Sequence, residues 1–256
     1  MRLTESIRQR LAGKKILLMA HLVLGYPSFE ANRETVRQMV EAGVDLIELQ
    51  IPFSEPMADG PVIALANQEA LARGTTVRQC LDFARETVAA HPIPFLFMTY
   101  CNIVIQHGLE AFCRTSADMG IQGFIVPDLP PEEGGDYLDL CARHEIAPIL
   151  IYAPTSTDER MRVLASHARG LIYCVARRGV TGAKTSFGPE FDGYMERCRQ
   201  ATSLPLAVGF GLRERSDVDA LVGKAEIAVV GSETIRLVDA SGVEAVGPFM
   251  RGLREI

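Results

Sequence analysis

The sequence predicts an α/β protein: a single (β/α)8 TIM barrel spanning residues 1–256, with an extra helix at its N-terminus. Three observations carry that expectation. Eight short runs rich in Ile, Val, Leu and Phe alternate with segments of helical period. The runs are continuously apolar, as strands buried on both faces are. The chain has 256 residues, a length that eight βα units fill when they close on themselves. An open doubly wound sheet would show fewer strands and a Gly-rich fingerprint after the first, where this chain has only Gly25.

The elements follow in order. Leu3 to Leu11 has an amphipathic helical period, stopped by Gly13. Ile16 to Leu24 is the first strand. Ser28 is placed to cap a helix running from Phe29 to Glu41, and Asp45 to Ile51 is the second strand. Two helical stretches follow, Ala64 to Arg73 and Val77 to Ala90, parted by Gly74. Pro94 to Thr99 is the third strand and Leu109 to Met119 its helix. Gly123 to Val126 is the fourth, followed by a helix from about Pro131 to Arg143. Ala147 to Tyr152 is the fifth, with Thr157 as cap of the next helix. Leu171 to Val175 is the sixth strand, and a helix from about Pro189 to Gln200 comes after a long Gly-rich loop. Pro205 to Val208 and Ile227 to Val230 are the seventh and eighth strands, with helices after both, the last ending near Leu253.

Composition narrows the function. A formal net charge of −6 with no basic run disfavours nucleic acid as a partner. No apolar run reaches the roughly 18 residues that span a bilayer, and Met1 to Ser6 lacks the apolar core of a signal peptide, so no membrane association and a cytoplasmic location are expected. The six cysteines form no C-x-x-C pair and no zinc spacing, which leaves buried free thiols and no metal site as the expectation.

In a barrel, chemistry gathers at the carboxyl ends of the strands. The stretch Glu48 to Pro61 stands out there, a stiff loop after the second strand carrying Glu48, Glu55 and Asp59. Side chains alternate along a strand. Leu46, Glu48 and Gln50 therefore share one side, while the all-apolar set Ile47, Leu49 and Ile51 faces the helices. Glu48 then points into the barrel near its mouth, where a carboxyl in apolar surroundings can exchange a proton near neutral pH. A salt-bridged structural role is the alternative; Asp59 in the same loop favours catalysis. Tyr100 follows the third strand and His21 lies near the carboxyl end of the first. Tyr173, inside the sixth strand, suits either core packing or the site.

Glycines gather at three late strand ends: Gly179 and Gly182, Gly209 and Gly211, and Gly231 followed by Ser232. Backbone N–H groups beside glycine can approach an anion closely, and Ser232 is placed to cap a helix whose N-terminus favours negative charge. A small phosphorylated substrate is expected.

The stretches Glu48 to Pro61, Pro127 to Pro130, Ala153 to Arg160, Gly179 to Ala183, Gly209 to Gly211 and Gly231-Ser232 resemble the signature of the tryptophan synthase α subunit family, in register over nearly the whole chain. The resemblance implies retro-aldol cleavage of indole-3-glycerol phosphate to indole and glyceraldehyde 3-phosphate. It makes Glu48 the proton-transfer residue and Asp59 the anchor of the indole N–H. It places Tyr173 near Glu48, Phe210 beside the indole, and Thr181 on a loop that closes over substrate. Gly182, Gly211, Gly231 and Ser232 form the phosphate cradle. It implies a β-subunit partner in an α2β2 tetramer, met in part by Glu55, and assigns pyridoxal phosphate to that partner, with no cofactor in this chain. Four positions depart from the family's pattern: Gln50 stands where glycine is usual, His21 where an apolar or aromatic residue is common, Tyr26 where the usual Gly-Asp-Pro has aspartate, and Glu55 where aspartate is usual. They fall on the substrate and partner side, and Gln50 and His21 leave open a stand-alone lyase acting on a related polyol phosphate. A phosphate-binding subunit that only activates its partner is a third reading, disfavoured by the presence of both Glu48 and Asp59.

Overall fold

The computed structural model describes residues 2–175, 188–209 and 211–254. Eight strands form a closed parallel barrel: β1 (Leu17–Val23), β2 (Leu46–Gln50), β3 (Phe95–Met98), β4 (Gly123–Ile125), β5 (Ala147–Tyr152), β6 (Ile172–Val175), β7 (Leu206–Gly209) and β8 (Ile227–Val230). Each pairs with the next, and β8 returns to β1 through Leu17 opposite Ile227. Parallel strands require crossovers, and helices supply them. They are α1 (Arg2–Leu11), α2 (Phe29–Glu41), α3 (Pro61–Ala72), α4 (Val77–Ala90), α5 (Cys101–His107), α6 (Leu109–Asp118), α7 (Gly135–Arg143), α8 (Asp158–His167), α9 (Pro189–Ala201), α10 (Arg215–Asp219), α11 (Ser232–Ser241) and α12 (Val246–Arg254).

Strand parity divides the apolar residues into two cores. Ile47 and Leu49 of β2, and Ile51 just after it, pack outward with Leu18, Ala20 and Leu22 of β1 against the helical ring. Leu46 points inward with Leu17, Met19, Leu96, Met98, Ile149, Ala207, Ile227 and Val229. The predicted extra helix has a definite use. Leu3 and Ile7, one turn apart on α1 and at most 1% exposed, belong to the inner cluster and close the barrel at its amino end. Gly170 makes room for this plug, since a Cβ there would lie 2.7 Å from Leu3 Cδ2 and 2.8 Å from Ala147 Cβ.

Local signals set the helix starts. Ser28 caps α2 by accepting from the Ala31 N–H at 3.1 Å, and Thr157 caps α8 by accepting from the Arg160 N–H at 3.1 Å. Thr76 and Gln79 form a capping box on α4. Three expectations shift. α3 begins at Pro61 rather than Ala64, because proline at the first helical position lacks only an N–H that would be unpaired anyway. α7 begins at Gly135 rather than near Pro131. Helix α5 was not anticipated; Asp128 Oδ1 accepts the Cys101 N–H at 2.9 Å and holds its first turn. The six cysteines are free thiols, five of them buried and Cys101 partly so.

Candidate active site

The site grows out of the pairing of β1 with β2. Their register sets His21 directly opposite Glu48. Both side chains point into the barrel, both are 4% exposed, and His21 Nδ1 lies 3.1 Å from Glu48 Oε1. One pleat further along β2, Gln50 points the same way, as parity requires. Its Nε2 donates to Asp59 Oδ2 at 2.6 Å. The Tyr100 hydroxyl donates to the same oxygen at 3.0 Å and accepts the Ala58 N–H at 3.2 Å.

The loop that carries Asp59 is held from both sides. Phe53 stacks on Tyr100 with ring centroids 5.0 Å apart and planes inclined by 23°. Asn67, fully buried on α3, accepts the Phe53 N–H at 2.9 Å and donates to the Ile63 carbonyl at 2.8 Å. Sequence reasoning did not single out Asn67, because an asparagine within a helix ordinarily marks its solvent face. The available signal was its place among small apolar residues, Ala64, Ala66 and Ala70.

Electrostatics separates the groups. Burial alone would lower the proton affinity of His21, but the charge of Glu48, its hydrogen bond and the charge of Asp59 together raise it above the ordinary imidazole value. Burial raises Asp59 above the usual carboxylate range, and the bond from Gln50, the charge of His21 and the bond from Tyr100 pull it back only in part. Burial, then the charges of Glu48 and Asp59, holds the Tyr173 hydroxyl well above its ordinary value, so it remains an O–H donor. Three polar atoms in this group are buried with no hydrogen-bond partner: His21 Nε2, Glu48 Oε2 and Gln50 Oε1.

His21, Glu48, Asp59 and Tyr173 line one cavity of about 410 Å³, a volume suited to a small ligand. Gln50 and Tyr100, expected to touch substrate, are not in its lining and reach it through Asp59. Glu48, His21 and Asp59 occupy one wall, Met98, Ile125 and Ile151 form an apolar wall, and Gly209, Gly211, Gly231 and Ser232 lie along the rim beside Tyr173. Gly209 is required by the ring next to it: a Cβ there would fall 2.4 Å from the Tyr173 hydroxyl oxygen. Gly211 takes φ +64, a conformation that favours glycine. Ser232 does not cap the helix, as had been expected. Gly231 is the N-cap residue of α11, and Ser232 is the first helical residue, its hydroxyl 3.5 Å from Arg236 Nη1. The N-terminus of α11 still opens on the cavity rim, because both residues line it. Glu55 is exposed on the outer side of its loop, away from the cavity lining. Thr181, Gly182 and Phe210 lie outside the described residues. Among the described residues, no group of three or more His, Cys, Asp or Glu is placed to hold a metal ion.

A closed parallel barrel that gathers a buried imidazole–carboxylate pair, a second carboxylate and several glycines into one mouth cavity has the architecture of a (β/α)8 enzyme. Comparison with known proteins narrows this class. The family model for the tryptophan synthase alpha chain matches residues 7–246. The alpha chain of Desulfotalea psychrophila is 61% identical over 99% of this chain and all of that one, and that of Syntrophotalea carbinolica is 57% identical over 98% of this chain and all of the other. Among solved structures, tryptophan synthase from M. tuberculosis superposes with a TM-score of 0.89 at 29% identity, covering 99% of this chain and 98% of that one. The chain belongs to the tryptophan synthase alpha chain family.

Proposed function

We infer that this chain cleaves indole-3-glycerol phosphate to indole and glyceraldehyde 3-phosphate as the α subunit of a tryptophan synthase. The observation that carries the assignment of roles is the placing of Glu48 and Asp59 on one wall of a cavity whose rim is glycine and a helix N-terminus. Glu48 gives a proton to indole C3 and accepts the proton of the side-chain hydroxyl next to the ring. Asp59 takes the indole N–H and steadies the positive charge that develops on the C3-protonated ring. Two donors converge on Asp59 Oδ2, Gln50 and Tyr100, and this favours the acceptor form of the carboxylate. The indole N–H is assigned to Oδ1. The phosphate is assigned to the N–H groups at Gly211, Gly231 and Ser232, where the α11 dipole is favourable.

The β-subunit partner is assigned to the mouth of the barrel. Met57, in the loop after β2, is 77% exposed, and Ile105, on α5 after β3, is 60% exposed. Both lie on the same end of adjacent βα units, with Glu55 beside Met57. Structures similar to this chain include the tryptophan synthase α2β2 complex of Pyrococcus furiosus, at 27% identity and a TM-score of 0.88, covering 95% of this chain. An α2β2 assembly with pyridoxal phosphate carried by the β subunit follows as part of the proposal, as does a cytoplasmic location; no helix among the described residues is long and apolar enough to cross a membrane.

The test is Glu48→Gln in the isolated chain, with indole release read by fluorescence against a protein that contains no tryptophan. Loss of the acid–base group should lower turnover by about 10²–10⁴-fold. Cleavage at near the wild-type rate would remove Glu48 from the chemistry.

A further inference from the structure

We propose that His21 serves Glu48 as a proton reservoir, the two side chains acting as one unit that holds a single proton. The proposal rests on the assignment of Glu48 as the proton-transfer residue. That assignment asks one carboxyl to be an acid at one moment and a base at the next. A lone carboxyl ionised at neutral pH could not begin by donating. A neighbour that keeps a proton within hydrogen-bond reach removes the difficulty, and His21 lies at that distance.

The geometry suits this task. His21 and Glu48 are register partners on adjacent strands, so the backbone fixes their spacing. The contact is made by Nδ1 and Oε1 at 3.1 Å. Oε1 therefore faces the imidazole, and Oε2 is buried without a partner. His21 Nε2 makes no close hydrogen bond, and the Gln50 side chain near the ring adds to its proton affinity. Nδ1 can donate to the carboxylate or accept from the carboxyl as the proton moves between them.

The surroundings keep the exchange within the pair. Facing His21 are Glu48 and Gln50 on β2 and Asp59 in the following loop. Tyr173 lines the same cavity but holds its own proton firmly. On the β8 side the neighbours are Val229 and Gly231, and a Cβ at Gly231 would lie 3.8 Å from His21 Cβ; α3 adds Ile63. None of these three carries charge. The carboxylates thus outnumber the imidazole, which accounts for its raised proton affinity despite burial.

The step balances. Nδ1 passes the pair's proton to the Glu48 oxygen it faces, a half-turn of the carboxyl about Cγ–Cδ presents that O–H to substrate, and the proton goes to indole C3. The side-chain hydroxyl then gives its proton back to the same oxygen, and the O–H electron pair becomes the carbonyl π bond. The C–C bond to the ring breaks, and its electrons restore the C2–C3 double bond and the nitrogen lone pair of neutral indole. The pair holds one proton before and after. Between turnovers His21 retains that proton to higher pH than an isolated carboxyl would.

The experiment measures kcat and KM against pH for indole-3-glycerol phosphate cleavage by the full chain, comparing wild type with His21→Asn and His21→Phe, with folding checked by circular dichroism. His21→Asn keeps an amide donor near Oε1 but cannot titrate. The alkaline limb of kcat should move down by about one pH unit or more, making the loss about tenfold greater at pH 8 than at pH 5.5. An equal loss at every pH with the limb unmoved would overturn the reservoir and leave a purely structural contact. A second readout needs no turnover: the ¹⁵N ring signals of His21 should titrate above the ordinary value of about 6.5 in wild type and fall in Glu48→Gln. A titration unchanged by Glu48→Gln also overturns the proposal. Should Glu48→Gln cleave substrate normally, the functional reading itself fails. If it is inactive while the His21 variants keep the wild-type limb, only the reservoir fails.

Discussion

Gln50 and Asp59 are joined by a 2.6 Å hydrogen bond across the mouth of the barrel, with the amide donating to Oδ2. The glutamine thereby fixes the carboxylate assigned to the indole ring. Its Nε2 also approaches Asn67 Oδ1 at 3.5 Å, and the same side chain adds to the proton affinity of His21.

Replacing Gln50 by Leu should uncouple the two. The variant keeps the apolar stem but removes the donor. A hydrogen bond to a charged group contributes about 1.5–3 kcal/mol, so kcat/KM for cleavage should fall by about tenfold or more. Steady-state kinetics with indole-3-glycerol phosphate checks this, and an unchanged kcat/KM would show that Tyr100 alone suffices.

Asp59→Asn should separate stability from activity. Burial raises the folded-state pKa of Asp59 above its usual range. A raised carboxyl favours the fold while it is protonated, and that advantage is lost as pH rises through the folded value. At neutral pH the wild type therefore bears a desolvated charge that asparagine lacks. Thermal melts should show the variant gaining on the wild type from the acid carboxylate range, near 4, toward pH 7, while its turnover drops.

Gly209→Ala should disturb the site through Tyr173. The added Cβ would sit 2.4 Å from the hydroxyl oxygen and 2.8 Å from Cε1 of that ring. Both belong to a ring packed against the inner core, so relief requires moving the tyrosine or the strand. Overpacking of this kind costs about 1–3 kcal/mol. Chemical denaturation should report a loss of that size, together with reduced cleavage; retention of both would mean that the ring swings freely.

Charge on the exposed rim should tell on the partner. Met57→Asp and Ile105→Asp alter side chains that are 77% and 60% exposed. The melting temperature of the isolated chain should barely change, since exposed substitutions usually stay within about 0.5 kcal/mol. Affinity for a β subunit, measured by calorimetry, should fall by about tenfold or more if either side chain anchors the interface.

The barrel was legible because its strands are apolar on both faces, and that made Glu48, an acid facing inward on β2, conspicuous. Parity alone placed Gln50 beside it. Helix α5 escaped notice because its seven residues follow directly on β3 and it starts from Tyr100 with no side-chain cap. Ser232 was misplaced by one position, since backbone torsions at Gly231, not residue type, decide where α11 begins. The contact of His21 with Glu48 was out of reach for a different reason. It depends on the register between β1 and β2, which the closure of the whole barrel sets and no local pattern encodes.

Leu3 and Ile7 lie at the opposite end of the barrel from the acid groups, yet the same interior column of side chains runs from one to the other. The helix that carries them works as a stopper against hydration. Were it to leave, water could leak upward from below, raising the local dielectric around Glu48 and loosening the electrostatic coupling that unites it with His21. The proton economy of the mouth is thus governed in part by two aliphatic side chains that never meet the substrate.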